Sequence, residues 1–236
     1  MLELGLIHKI LSSTLLVYAA FSDVKTREVE DTIWLAMCIV SVPLIFYELI
    51  KVEPRCLLYY VFSFYLAFTL GLFLSSFNIM GGADFLALAC IGLVTVPEFN
   101  GPISALPSLS VMVNSLLVSL VYPLYILVKN MRAIFRGEKL FESVEVTSLA
   151  KVLGLFTLVK VPVEEYKRKR DFYSLAEIIE NDKRKISFSL KIRSNDVQLS
   201  GGEVWVTPHI PYVAVLAAGY IIHLVLGCLL ELFLLK

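Results

Sequence analysis

The sequence predicts an all-α polytopic membrane protein of six transmembrane helices, with a small α+β cytosolic domain inserted between helices five and six. Three observations carry that prediction. Of the 236 residues, 58% are apolar and the mean hydropathy is +0.77, whereas a soluble domain is nearer half apolar. Apolar runs long enough for membrane helices recur along the chain, separated by short charged or Pro/Gly-containing stretches. The composition turns polar near residue 129 and apolar again near residue 210. Those shifts divide the chain into residues 1–128, 129–210 and 211–236. Formal net charge is zero, so no global field favours nucleic acid, and no such partner is expected.

Span one runs from Leu4 to Phe21, with His8 and Lys9 placed to snorkel outward. It reads as a retained span: the leading residues hold Glu3 and no early Lys or Arg, and the apolar run is long for a cleavable signal. Ser22 to Asp31 is a short loop dense in charge of both signs. Span two is Ile33 to Ile50, bent at Pro43, and Lys51 to Arg55 is a tight loop. Span three is Cys56 to Phe77, and Asn78 to Ala83 is a glycine-rich turn. Span four, Asp84 to Val96, is closed by Pro97. At ~1.5 Å per residue it reaches about 20 Å, short of a hydrocarbon core of about 30 Å. Either the Gly81-Gly82 turn dips into the membrane or the bilayer thins. In both cases Asp84 lies near or below the membrane surface.

Glu98 to Leu106 is a Pro/Gly loop and Pro107 to Val128 is span five. The polar region then shows strand-like runs at Leu155 to Val161, Lys185 to Ile192 and Val204 to Thr207, with a helix predicted over Ser174 to Glu180. Pro211 to Leu235 is span six. Cys38, Cys56, Cys90 and Cys228 each lie in an apolar run without metal-ligand or redox spacing, so they read as single buried thiols. No metal and no cofactor is expected.

Asp84 organises the functional reading. The nearest Lys or Arg on either side is more than twenty residues away, and a carboxylate at a membrane helix terminus is a functional-site hypothesis by default. Its best partner is Asp23, at the end of the first apolar segment. With six spans, both aspartates fall at the same membrane face. Taken singly, Asp84 also reads as an ordinary helix cap, and Asp23 as a solvated charge beside Lys25 and Arg27. Their placement on one face favours a joint role. Lys25, Arg27, Lys129, Arg132, Arg136 and Lys139 mark that face as cytoplasmic, against Lys9, Lys51, Arg55 and Lys236.

Two carboxylates sharing a site hold one proton between them. One then takes a proton from water while the other donates to a carbonyl oxygen, and the water attacks a peptide bond without a covalent intermediate. The histidines, His8, His209 and His223, read as packing or cap residues.

Gly81-Gly82-Ala83-Asp84 before an apolar helix, with Asp23-Val24-Lys25-Thr26-Arg27-Glu28-Val29-Glu30-Asp31 after span one, resembles the type IV prepilin peptidase-like aspartic proteases. These are GxGD membrane proteases, distantly like presenilin and signal peptide peptidase. The likeness is strongest to the archaeal preflagellin (archaellin) peptidase branch, where Ala83 fits a variant third motif position. Thr207-Pro208-His209-Ile210-Pro211-Tyr212-Val213 also looks like the family's proline-rich lead into its last helix.

The resemblance implies that Asp23 and Asp84 are the catalytic pair. It implies that the substrates are preflagellin or type IV pilin-like precursors, whose short basic leader is cut at the cytoplasmic membrane face. In archaea the products build the archaellum. Bacterial relatives also N-methylate the new terminus and often carry a paired-cysteine zinc motif. That motif is absent here, so no methyltransferase activity is expected. Gly81, Gly82 and Ala83 would form a mobile hinge before Asp84. Glu28, Glu30 and Asp31 form an acidic patch that could hold a basic leader, or a solvated loop. Lys25 and Arg27 could pair with those acids or steady the aspartates. Membrane lipids are the other expected partner: Lys167 to Arg170 and Lys183 to Lys185 would suit anionic headgroups. The rival class is a proton-coupled transporter using the same aspartates. It lacks support from any inverted repeat.

Overall fold

A computed structural model describes residues 2–50, 54–77, 79–98, 101–142, 144–180, 183–188 and 202–234. The start of the loop expected at Lys51, Asn78 of the glycine turn, the far half of the expected Lys185–Ile192 strand and Gly201 lie outside these residues. The chain divides into two compact units, Met1–Val118 with Pro211–Lys236, and Ser119–Ile210.

The first unit is helical. Its helices are α1 (Leu2–Thr26), α2 (Asp31–Leu49), α3 (Pro54–Ser76), α4 (Gly82–Val94) and α5 (Pro107–Ser119), then α9 (Tyr212–Leu226) and α10 (Leu229–Leu234). Helices α1, α2 and α3 are long and apolar enough to cross a membrane, as is the stretch Pro107–Phe135. Their outward faces carry exposed Leu, Ile, Val and Phe, which in a membrane protein meet lipid rather than water. The core lies where α1, α2, α3, α4 and α9 meet: Leu16, Trp34, Met37, Leu88, Ile91, Leu216 and Tyr220 are all buried.

Small residues let the helices approach closely. A Cβ added at Gly92 would sit 2.9 Å from Ala67 Cβ, and one at Gly219 would sit 2.8 Å from both the Ser115 amide nitrogen and the Val111 carbonyl oxygen. Ser63 Oγ and Ser108 Oγ lie 2.9 Å apart between α3 and α5, and Ser12 meets Ser41 between α1 and α2.

Helices α4 and α9 are short, 13 and 15 residues. Side chains and a glycine turn satisfy the carbonyls at their C-terminal ends. At the end of α4, Tyr60 Oη donates to Leu93 O at 2.6 Å and Thr95 Oγ1 to Ile91 O at 2.5 Å. At the end of α9 the chain breaks at Gly227, whose φ of +75° favours glycine. Asn114 Nδ2 donates to Gly227 O at 2.9 Å, and its Oδ1 accepts from Leu229 N at 2.9 Å. Glu231 on α10 folds back to accept from the backbone N–H groups of Ile103 and Ser104.

The second unit holds α6 (Val121–Phe135), α7 (Ser148–Thr157), β1 (Val159–Pro162), α8 (Val163–Arg168), a 3₁₀ turn (Arg170–Phe172), and strands β2 (Tyr173–Leu175), β3 (Glu177–Glu180), β4 (Lys183–Ile186) and β5 (Glu203–Pro208). Span five was expected to run unbroken to Val128. Instead the helix divides at Leu120 and resumes to Phe135, because Pro123 has no N–H to give the Ser119 carbonyl. Strands β1, β5 and β2 form an antiparallel sheet in that order, and β3–β4 is a separate hairpin. Strand β5 is buried on both faces. Val204 and Val206 pack with Val161 and Val163, while Trp205 points the other way into Leu140, Val144 and Leu158, with Phe141 stacked at 4.8 Å.

Two further expectations are corrected. Ser174–Glu180 is not a helix but parts of β2 and β3: Leu175 pairs with Val206 and Glu177 with Ile186, and the β-branched Ile178 and Ile179 suit the hairpin. Leu155–Val161 is half helix and half strand, turning at Leu158, whose carbonyl is held by buried Asn130.

Candidate active site

Asp23 was expected to open a loop, yet it lies in the last turn of α1, which continues to Thr26. No Gly or Pro interrupts Ser22–Thr26, and the helix stops only at Arg27, whose φ is +61°. The Arg27 N–H donates to Asp23 O at 3.0 Å. The helical register turns the Asp23 side chain inward, leaving it 8% exposed. There its Oδ2 accepts the Val213 N–H at 3.0 Å, and the Ala214 N–H also points to this carboxylate. Both are first-turn amides of α9. That helix begins at Ile210-Pro211-Tyr212 with no capping side chain of its own, so Asp23 of α1 supplies the cap.

Asp84 is half-buried in the first turn of α4. Its Oδ2 accepts the Gly81 N–H at 3.0 Å, while Phe85 N donates to Gly81 O at 3.0 Å. Gly81 is extended, with φ −73° and ψ 164°, and Gly82 is the first helical residue. Neither angle requires glycine. What Gly81 provides is room: a Cβ there would lie 3.2 Å from Asp84 Oδ2, whereas one at Gly82 would meet nothing within 4 Å. Ala83 packs against the core beside them.

Helix α4 packs on α2, α3 and α9, and α9 packs on α1. Two carboxylates 61 positions apart in sequence thus stand at the N-termini of two neighbouring helices, Asp84 on its own and Asp23 on α9. Each N-terminus presents the positive end of its peptide dipoles. The charges of Asp23 and Arg27 both act on Asp84, and Asp84 acts on the Tyr212 hydroxyl. The structure therefore brings Asp23, Arg27, Asp84 and Tyr212 into one electrostatic neighbourhood. Glu28, Glu30 and Asp31 are exposed where α1 turns into α2, with Thr32 Oγ1 donating to Glu30 Oε2 at 3.1 Å. Lys25 is exposed and lies over the Phe21 ring, 5.9 Å from its centroid.

Among the described residues, no three His, Cys, Asp or Glu side chains gather in a way that could hold a metal ion. Cys38 and Cys90 sit with sulfurs 3.9 Å apart, and all four cysteines are free. Buried His223 meets Ser110 Oγ at 2.8 Å. His209 Nε2 meets Ser174 Oγ at 2.6 Å in the second unit.

Residues 10–127 match the type IV leader peptidase family model, half of the chain. The chain belongs to the type IV leader peptidase family. This leader peptidase is similar along nearly its whole length to two preflagellin peptidases. That of Methanocaldococcus jannaschii is 27% identical over 231 residues, covering 90% of each chain. That of Methanococcus maripaludis is 26% identical over 240 residues, covering 94% of this chain and 96% of the relative. The family segment holds both aspartates and the whole of α2 to α5. It ends before most of the second unit and before α9. Tyr212 and the Asp23–α9 contact were not foreseen from sequence. The available signal was the uncapped helix start at Pro211, whose amides had to find an acceptor elsewhere.

Proposed function

We propose that this peptidase removes the short basic leader from preflagellin or other type IV pilin-like precursors, with Asp23 and Asp84 as its catalytic pair. The observation that carries the reading is the pairing itself. Two carboxylates from helices far apart in sequence stand in one electrostatic neighbourhood at adjacent helix N-termini.

In the proposed mechanism the pair holds a single proton, because two like charges at one site do not both ionise. The unprotonated carboxylate takes a proton from water as the other donates to the scissile carbonyl oxygen, and the water oxygen bonds to the carbonyl carbon. Collapse of that tetrahedral intermediate breaks the C–N bond, with the amine leaving protonated. Backbone amides fix the geometry: Oδ2 of Asp84 is tied to Gly81 N–H and Oδ2 of Asp23 to Val213 N–H. The exposed acids Glu28, Glu30 and Asp31 would attract the basic leader, and Arg27 would steady the pair.

For the membrane setting, α1, α2, α3 and the Pro107–Phe135 stretch are each long and apolar enough to cross a membrane. With α4 and α9 as two shorter membrane helices the count is six, and both aspartates share a face. Lys25 and Arg27 at the end of α1, with Lys129, Arg132, Arg136 and Lys139 in and after α6, argue that this face, with the inserted polar domain of residues 129–210, is cytoplasmic. The product amine would stay unmethylated.

The deciding test is cleavage of a preflagellin in detergent-solubilised membranes by wild type, Asp23→Asn and Asp84→Asn. Loss in both variants at normal protein levels supports the pair. Cleavage surviving either change breaks it.

A further inference from the structure

One face of α6 carries an open groove of about 640 Å³. Its first half is apolar, walled by Val121, Leu124, Tyr125 and Val128. Its second half is basic, formed by Lys129, Arg132 and Arg136. The spacings follow the helical repeat, so the apolar and basic parts lie end to end on one stripe. All seven side chains are exposed. Among the described residues none of the three cations has an acid within ion-pair distance. Glu138 lies at the groove's polar end, outnumbered three to one.

The position along the helix matters as much as the charge. Pro107–Phe135 is long and apolar enough to cross a membrane, and the change from apolar to basic side chains falls inside α6, between Val128 and Lys129. That change matches the step from acyl chains to headgroups at a membrane surface. We infer that this groove is a binding site for an anionic phospholipid, with an acyl chain along the apolar wall and the phosphate on Lys129, Arg132 and Arg136. A soluble anion would leave the apolar wall uncovered. A second copy meeting this face symmetrically would set three cations against three cations. The basic runs singled out in the sequence fit this role less well, since Lys169, Lys183 and Arg184 are already paired with Glu165, Glu145 and Glu177.

The test titrates the full-length protein in detergent with phosphatidylglycerol, phosphatidylcholine or glycerol phosphate and counts bound molecules by native mass spectrometry. Phosphatidylglycerol should bind about a hundredfold more tightly than phosphatidylcholine, and glycerol phosphate should not compete at matched concentration. Each cation near the surface contributes about a factor of five. The combined Lys129→Gln, Arg132→Gln, Arg136→Gln variant should therefore lose about a hundredfold for phosphatidylglycerol and nothing for phosphatidylcholine. The charge-preserving Lys129→Arg, Arg132→Lys, Arg136→Lys variant should keep the preference. Should the glutamine variant fail to fold, wild type decides: its preference must collapse in about 1 M salt, where screening acts over about 3 Å. Equal retention of both lipids, undiminished binding by the glutamine variant, a salt-insensitive preference, or displacement by glycerol phosphate would overturn the inference.

Discussion

Asp23 caps α9 in this structure and is proposed to transfer a proton, and comparing Asp23→Asn with Asp23→Ala takes the two roles apart. One job is structural: the carboxylate is 8% exposed and accepts the first-turn amides of α9, with Val213 N at 3.0 Å. An alanine leaves those buried donors without an acceptor, which costs about 1–2 kcal/mol, the usual loss of a helix cap. For a chain of this size that corresponds to a Tm lower by about 2–8 °C. Asparagine keeps an acceptor oxygen in the same place and should unfold within about 2 °C of wild type. The other job is the proposed proton transfer, which asparagine cannot perform. Both variants should therefore lose about 10²–10⁴-fold in cleavage rate. The assay pairs thermal unfolding in detergent with initial rates on a preflagellin. An asparagine variant that cleaves within about tenfold of wild type would refute the catalytic reasoning. An alanine variant as stable as wild type would refute the cap.

Three further outcomes follow from contacts described above. Gly82 is the first residue of α4 and follows an extended Gly81, a setting that accepts proline; Gly82→Pro should fold normally, and its cleavage rate then reports whether the turn must move, a normal rate ruling motion out. Glu177 is buried and forms a two-pronged pair with Arg184 while accepting Trp205 N at 2.6 Å. Glu177→Ala should destabilise the second unit by about 3 kcal/mol, the low end for a buried pair because Arg184 is partly exposed, read as faster proteolysis between residues 140 and 188. Gly219→Ala drives a methyl group against the Ser115 and Val111 backbone of α5, costing about 3 kcal/mol in detergent melts; adding Ser115→Gly should not rescue it, because the obstructing atoms are main chain.

The candidate site was legible in the sequence as a pair of placed carboxylates wherever the chain announces itself locally. Asp84 stands out because a charge opens an otherwise apolar helix, and the Gly-Gly before it and Pro97 after it bound α4 to within two residues of Gly82–Val94. Asp23 was found for its charge but misplaced in a loop, since polarity was taken as the helix end, whereas backbone hydrogen bonding carries α1 one more turn to Thr26. The strands at Tyr173–Leu175 and Glu177–Glu180 were mistaken for a helix because Leu175, Ile178 and Ile179 have helical spacing. Their partners are distant or form a hairpin, and pairing overrode local pattern. The cap on α9 was invisible for the same reason: donor and acceptor are 190 positions apart.

That separation also sets the order in which the molecule can be completed. A ribosome adding about 5–20 residues per second needs about 10–40 s to pass from Asp23 to Val213. Throughout that interval the Asp23 carboxylate exists without the amides that orient it, while α1 to α5 are already being inserted. The orientation of the Asp23 carboxylate is thus a late product of biogenesis. On the proposed reading, the pair is complete only once α9, one of the last helices to be made, arrives to orient Asp23.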